Sequence, residues 1–445
     1  MNYEEKLQNV SVLGAAGKMG SGILLLTAVE LADLKLKPEN KSKTFVINAI
    51  DVSAESLTGL YQYLKTQVTK IAEKKVVQLR PLYHENKELV ENSDIINQYV
   101  DDVLKIVLFS TRVESCYESN LIFEAIVEDV DLKVKIFKQI LANNPNNPWF
   151  LTNTSSIPIG ELDEKAEIDG NIIGFHFYNP PAVQKLVELI TSPTTNQELI
   201  NFSNMYAKNI GKKVVPSNDY AGFIGNGHFM RDLLFGIDQA QRLTKEMTLP
   251  EAIYAVNRVS QDFLIRPMGI FQLIDYVGVD VCQKILKVMC SRLEDDSLHS
   301  DYLDKLIEQG VKGGQNPDGS QKDGILQYEK GRPIAVWDHS IQCYIHLNTF
   351  MDIIDNKLGS LPTSHKPWKA VVGNKQKEEL LTIYFRELKP MDTLGATLAK
   401  EYHFNSNNIG LGLVSNGIAD SPENVNTVML TGFFHAYGPI NNYLD

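Results

Sequence analysis

The sequence predicts an α/β fold, with a doubly wound parallel sheet in the first half of the chain followed by an all-α region that carries an internal repeat. Three observations predict it. From Asn9 onward, short β-branched and apolar runs alternate with helical patterns, the order that builds parallel sheets with crossover helices. From Tyr220 the character turns almost wholly helical, beginning with Ala221-Gly-Phe-Ile-Gly-Asn-Gly-His-Phe-Met230. Late in the chain, Ser421-Pro-Glu-Asn-Val425 echoes Leu249-Pro-Glu-Ala-Ile253, and Phe434-His-Ala-Tyr-Gly-Pro439 echoes Ile265-Arg-Pro-Met-Gly269. The expected domains are 1–218, 219–330 and 331–445, with Lys312-Gly-Gly-Gln-Asn-Pro-Asp-Gly319 read as a linker.

The elements follow in order. A strand over 9–13 runs into Gly14-Ala-Ala-Gly-Lys-Met-Gly20, and a helix over 21–31 leaves it. The next strand, 44–50, ends at Asp51. A long helix over 53–75, carrying Lys65, Lys70, Lys74 and Lys75, and a return over 94–104 form a helical hairpin. Strands are expected at 105–109 and 121–127, and Glu128-Asp-Val-Asp131 caps a helix over 132–141. A strand over 149–152 delivers Asn153-Thr-Ser-Ser156 to its carboxyl end. Strands over 172–178 and 186–190 flank a turn at Asn179-Pro-Pro181.

Composition bounds the function. At 445 residues, with 43% hydrophobic and 22% charged, the chain is ordinary globular material for two or three cores. A net charge of -12 argues against nucleic acid or an anionic membrane as partner, because both require broad positive surface. Cys116, Cys282, Cys290 and Cys343 show neither a C-x-x-C pair nor zinc spacing, so no disulfide scaffold and no metal are expected. The start of the chain lacks the features of a targeting segment, and Glu30 and Asp33 cut short the apolar run at 23–29. A cytoplasmic protein is expected.

Two constellations carry chemistry. The strand, glycine turn and helix at 9–31 let a backbone approach a pyrophosphate at a helix N-terminus. Asp51 at the next strand end accepts hydrogen bonds from ribose hydroxyls and repels an extra phosphate, which points to NAD. A helix-entry turn built of small residues is the plainer alternative. The second constellation is Gly174-Phe-His-Phe-Tyr-Asn-Pro-Pro181 followed by Lys185-Leu-Val-Glu-Leu-Ile190. Glu188 amid apolar residues needs a partner, and His176 on the preceding strand is one. A carboxylate beside an imidazole makes a general base, although histidines among aromatics are commonly core residues. Ser155 and Glu128 fall at the strand carboxyl ends, where ligands collect and where polar loop caps are also common.

Taken with Phe123-Glu-Ala-Ile-Val-Glu-Asp129, Gly222-Phe-Ile-Gly-Asn226 and Pro267-Met-Gly-Ile-Phe271, these motifs resemble the NAD-dependent 3-hydroxyacyl-CoA dehydrogenases over about residues 9–330. The remainder resembles the second helical repeat in the dehydrogenase part of multifunctional fatty-acid oxidation proteins, and no enoyl-CoA hydratase portion is expected. The resemblance implies a Rossmann-like domain with the hairpin at about 53–104, and an oxidoreductase converting (S)-3-hydroxyacyl-CoA to 3-ketoacyl-CoA with NAD. It implies that His176 is the base, Glu188 its orienting carboxylate, and that Ser155 and Asn226 contact the reacting oxygen. The cofactor would be met by Gly14, Gly17, Lys18, Met19, Gly20, Asp51, Glu128, Lys133 and Asn153, with Glu128 and Lys133 on the nicotinamide side. Asn179, Lys65 and Lys70 would meet the acyl-CoA. Ala221 and Gly227 depart from the family's usual Pro and Arg, which loosens the turn presenting Asn226. Hydratase and thiolase chains are the expected β-oxidation partners, and the chain is expected to be a monomer or weak homodimer. Two alternatives stay open: a sugar-acid or other hydroxy-acid dehydrogenase of the same fold, and a nonenzymatic NAD-binding relative.

Overall fold

The computed structural model describes residues 2–316 and 319–445. The chain divides into two compact units, Met1–Asp219 and Tyr220–Asp445.

The first unit is built on an eight-stranded sheet in the order β3-β2-β1-β4-β5-β6-β7-β8. The strands are β1 Asn9–Leu13, β2 Val46–Ile50, β3 Val107–Ser110, β4 Leu121–Glu124, β5 Trp149–Thr152, β6 Ile172–Phe177, β7 Leu186–Thr191 and β8 Lys213–Asn218. Strands β1 to β6 run parallel, β7 is antiparallel to β6, and β8 follows β7 in parallel. Both faces are covered, so β4, β5 and β6 are buried along their whole length and are mostly apolar. The register aligns Leu13 with Glu124, Glu124 with Thr152, and Thr152 with Gly174. The loops after β1, β4 and β5 therefore leave from one edge of the sheet, and β6 projects past that edge to carry His176.

Several predicted boundaries are corrected, among them the strand read at 105–109, which is Val107–Ser110, and the helix read at 21–31, which runs Gly20–Lys35. The second strand starts at Val46, and the long hairpin helix runs Ala54–Leu79. The fourth strand stops at Glu124, because the Glu124 carboxylate turns back to accept the Ile126 N–H at 2.8 Å and takes that amide out of the ladder. The hairpin's second helix, Asn92–Lys105, is tied to the Gly20–Lys35 helix through Asp33, which accepts from Tyr99 at 2.7 Å and pairs with Lys75.

The second unit is mostly helical, with one departure from the reading of an almost wholly helical region. Strands β9 Leu326–Glu329, β10 Arg332–Asp338 and β11 Cys343–His346 form an antiparallel sheet in the order β11-β10-β9. The turn between β9 and β10 is Lys330-Gly331, both at positive φ, the two-residue geometry that matches strand twist. Asp275 joins this sheet to the Ile270–Val277 helix, accepting from Ile325 N at 2.7 Å, Leu326 N at 2.8 Å and Tyr328 Oη at 2.9 Å. The glycine-rich segment read as a linker is also sewn to Asp275. Gly314 N and Gln321 Nε2 both donate to the Asp275 carbonyl, and a Cβ on Gly313 would meet that carbonyl at 2.9 Å. Pro317 and Asp318 of that segment lie outside the described residues. One hydrophobic core runs from Ala221 to Leu444 and draws on both sides of residue 330.

The repeat has a structural counterpart. Asn257 Oδ1 accepts Phe271 N at 3.1 Å, and a Cβ on Gly269 would collide with the Asn257 side chain. Asn426 Oδ1 accepts Ile440 N at 3.0 Å, and Gly438 meets Asn426 in the same way. Ile265 and Phe434 both stand at positive φ. One constant interval separates Asn257 from Asn426, Ile265 from Phe434, Gly269 from Gly438, and the first residues of the Gly225–Leu243 and Leu394–Ser415 helices. The two Pro-Glu pairs noticed in the sequence lie out of this register.

Candidate active site

The glycine turn after β1 is shaped by close backbone approach. Gly14 has φ +73, and a Cβ there would lie 2.5 Å from the Ala125 carbonyl oxygen. A Cβ on Gly20 would lie 2.0 Å from the Gly14 oxygen. Larger residues cannot occupy either position without moving the backbone. Gly14 N and Ala15 N both donate to the Ile50 carbonyl, and Ala16 N donates to Asp51 Oδ2 at 3.0 Å. The Gly20–Lys35 helix starts at Met19 without a side-chain cap and without an acid in its first turn, which suits an anionic ligand. Gly17 and Lys18 are exposed and Met19 is half-buried. Room for backbone approach, an uncapped helix start and the Asp51 carboxylate together fit a dinucleotide.

Beside this turn lies a buried ionic network. Lys133, 1% exposed at its side chain, donates to Glu124 Oε1 at 2.6 Å and pairs with Glu128 Oε2 at 3.3 Å. Glu124 also accepts from Thr152 Oγ1 at 2.6 Å. Glu128 Oε1 gathers Thr154 Oγ1 at 2.6 Å, Ser155 N at 3.0 Å, and the Ser156 N–H and hydroxyl. Burial alone raises the Glu128 carboxyl, but the Lys133 ammonium and these donors outweigh it and hold the group below the usual carboxylate range. Desolvation likewise pulls Lys133 down, and the charges of Glu124 and Glu128 reverse it, so Lys133 stays protonated above the usual lysine range. Glu128 and Ser155 are thus brought together. Lys133 stands behind them, buried.

The third group sits on the β6–β7 hairpin. The register places His176 directly opposite Glu188. His176 Nδ1 lies 3.3 Å from Glu188 Oε1, and Tyr178 Oη donates to the same oxygen at 2.6 Å. Glu188 is fully buried and His176 is 8% exposed. A carboxylate oxygen accepts, so an imidazole Nδ1 at this distance is placed to donate to it. Burial and the Glu188 charge push the Tyr178 phenol well above its ordinary value, so it remains a donor. Asn153 Oδ1 accepts Phe177 N at 2.9 Å and fixes the end of β6 against the β5 loop. Asn179 follows, half-buried, at a cis peptide with Pro180.

Lys65 and Lys70 are exposed on the Ala54–Leu79 helix. Asn226 belongs to the second unit, in the first turn of the Gly225–Leu243 helix, after Gly222 at φ +87 and Phe223 at φ +51. Sequence reasoning missed Tyr178, Glu124, Thr154 and Ser156. Glu124 carries the same signal as Glu188, a carboxylate inside an apolar strand. Tyr178 lies two residues beyond His176, on the same side of an extended segment. Among the described residues, no cluster of three or more His, Cys, Asp or Glu side chains is placed to hold a metal, and no helix is long and apolar enough to cross a membrane.

Comparison with known proteins gives one consistent result. Residues 9–220 match the family model for the 3-hydroxyacyl-CoA dehydrogenase NAD binding domain, and residues 222–323 match the 3-hydroxyacyl-CoA dehydrogenase C-terminal domain. A probable 3-hydroxybutyryl-CoA dehydrogenase of Bacillus subtilis is 29% identical over 316 residues, covering 71% of this chain and 96% of that one. A fatty acid oxidation complex subunit alpha of Vibrio parahaemolyticus is 30% identical over 354 residues, covering 79% of this chain and 44% of that one. The crystal structure of 3-hydroxybutyryl-CoA dehydrogenase from Escherichia coli shares the fold, with a TM-score of 0.63 at 19% identity over 98% of this chain and 90% of that one.

Proposed function

The chain belongs to the 3-hydroxyacyl-CoA dehydrogenase family, with its NAD-binding domain first, and on that premise we propose that it interconverts (S)-3-hydroxyacyl-CoA and 3-ketoacyl-CoA. The observation that carries the proposal is the His176–Glu188 pair, held in cross-strand register at the end of β6. NAD, when bound, supplies the hydride acceptor. Gly14, Gly17 and Gly20 give its pyrophosphate room, Asp51 receives the ribose hydroxyls, and Lys18, Met19 and Asn153 border it. Glu128 faces the nicotinamide side, with Lys133 fixing its charge from behind.

In the oxidative direction His176 Nε2 takes the proton of the 3-hydroxyl, and Glu188 stabilises the imidazolium that forms. Ser155 donates to the reacting oxygen, a preorganised interaction worth roughly 3 kcal/mol in comparable sites. Asn179 lines the acyl end, and Lys65 and Lys70 receive the CoA phosphates. We assign 331–445 to a second helical repeat acting as scaffold, supported by the matched Asn-Gly joints. The Vibrio relative motivates hydratase and thiolase chains as partners. The proposed setting is a cytoplasmic monomer or weak homodimer, to be checked by light scattering. The test of function is NADH oxidation with 3-ketoacyl-CoAs of increasing chain length. Intact NADH binding without turnover on any of them would remove the reading.

A further inference from the structure

We propose that Lys212 is a positioning residue for the His176–Glu188 pair, its ammonium clamping the turn that joins their two strands. The proposal deepens the dehydrogenase reading and rests on it for the catalytic consequence.

The root of Lys212 is fixed on both sides. After the Gln197–Asn209 helix the chain turns at Gly211, φ +71, and Lys212 N donates to the Ala207 carbonyl at 2.8 Å. The next residue opens β8, with Lys213 N donating to the Lys185 carbonyl at 2.7 Å. From that fixed base the Lys212 side chain reaches the segment between Phe177 and Leu186. Its Nζ lies 2.5 Å from both the Pro181 and the Gln184 carbonyl oxygens and 5.9 Å from the Phe177 ring centroid. Among the described residues Lys212 makes no ion pair, so its charge is spent on two backbone dipoles. Burial brings its ammonium down to about 8, still mostly protonated at neutral pH.

Val183 N and Gln184 N both use the Pro180 carbonyl, and Val183 is 70% exposed. The far side of the turn is wedged against the cofactor helix, where a Cβ on Gly22 would lie 2.9 Å from Pro181 Cδ. The turn is therefore gripped between Lys212 and the first turn of the Gly20–Lys35 helix. Tyr178, which shares Glu188 Oε1 with His176, starts this same segment. Releasing the clamp lets Tyr178 and Asn179 drift, and displacements near 1 Å cost on the order of 100-fold in rate.

The experiment compares the full chain with Lys212→Met, which removes the donors, and Lys212→Arg, which keeps a cation with several donors. For Lys212→Met we expect kcat for NADH oxidation with acetoacetyl-CoA to fall roughly tenfold to 100-fold, with NADH affinity within about twofold. We expect faster hydrogen exchange confined to peptides over 178–185, and recovery of both readouts in Lys212→Arg. Lys212→Gln, with two donors on a shorter stem, shows the same split more weakly if the Met variant does not fold. Unchanged kcat with a merely lowered melting temperature overturns the proposal, as does unchanged exchange over 178–185. A wild-type chain inert toward 3-ketoacyl-CoA removes the dehydrogenase reading instead, and the exchange comparison then decides the clamp alone.

Discussion

His176 and Glu188 face each other across a strand pair, so backbone register sets the two side chains opposite one another. Replacing His176 with Ala is expected to lower kcat by roughly 100-fold to 10,000-fold while NADH titrates as in the parent, read by steady-state kinetics and fluorescence. Lys133→Met strands the Glu124 charge in a site with no exposure, and a loss of about 3 to 5 kcal/mol in urea unfolding is expected. A variant as stable as the parent would contradict this account of the buried pair. At this scale the sequence told most about Glu188, because a charge inside Leu-Val-Glu-Leu-Ile must have a partner. Glu124 passes the same test, but its partner comes from the next helix and no local pattern names it. The sharing of Glu188 by Tyr178 depends on how the strand end turns, which spacing does not encode.

The glycine turn is the element on which cofactor binding depends. Gly20→Ala places a methyl 2.0 Å from the Gly14 carbonyl, so the helix must move off the turn. NADH affinity is expected to fall at least about tenfold, on the order of 1.4 kcal/mol, measured by fluorescence titration, and a Kd within twofold of the parent would contradict this account of the turn. The central strands β4, β5 and β6 were legible because each is buried along its whole length and is mostly apolar. The β9–β11 sheet was not. Its strands are largely half-exposed, and its one clear sign, Lys330-Gly331 between Glu329 and Arg332, sits amid helical patterns. The echo between the two helical segments was read through two pairs: the Pro-Glu helix starts, which recur wherever helices begin and lie out of register, and Ile265-Arg-Pro-Met-Gly269 against Phe434-His-Ala-Tyr-Gly-Pro439, whose Ile265 and Phe434 lie in register. The matched joints are Asn against Gly, and they show only once the chain has closed on itself.

The helical unit buries an ion pair and three histidines. Arg266 pairs with Asp232 at 2.7 Å and lies over the Tyr402 ring, and His228, His403 and His435 are buried in the same unit. Burial pulls all three imidazoles down, His403 to about 4, and the Arg266 charge adds to it. An unfolded histidine titrates near 6.5, so below that pH the unfolded state binds more protons. Stability from these groups is complete above about pH 6.5 and is lost as pH falls toward 4, at about 1.4 kcal/mol per pH unit for each histidine. Asp275, raised by burial to about 7, and Asp262, also raised by burial, act in the opposite sense. The histidines outnumber them, so urea midpoints of this unit should fall between pH 6.5 and 5, whereas a flat profile would mean these imidazoles are solvated. For the molecule as a whole, the most direct test of its proposed chemistry is a paired assay of wild type and His176→Ala with acetoacetyl-CoA and NADH. The account predicts NADH oxidation by the wild type and loss of at least about 100-fold in the variant, with NADH still bound. Equal rates in the two proteins would contradict it.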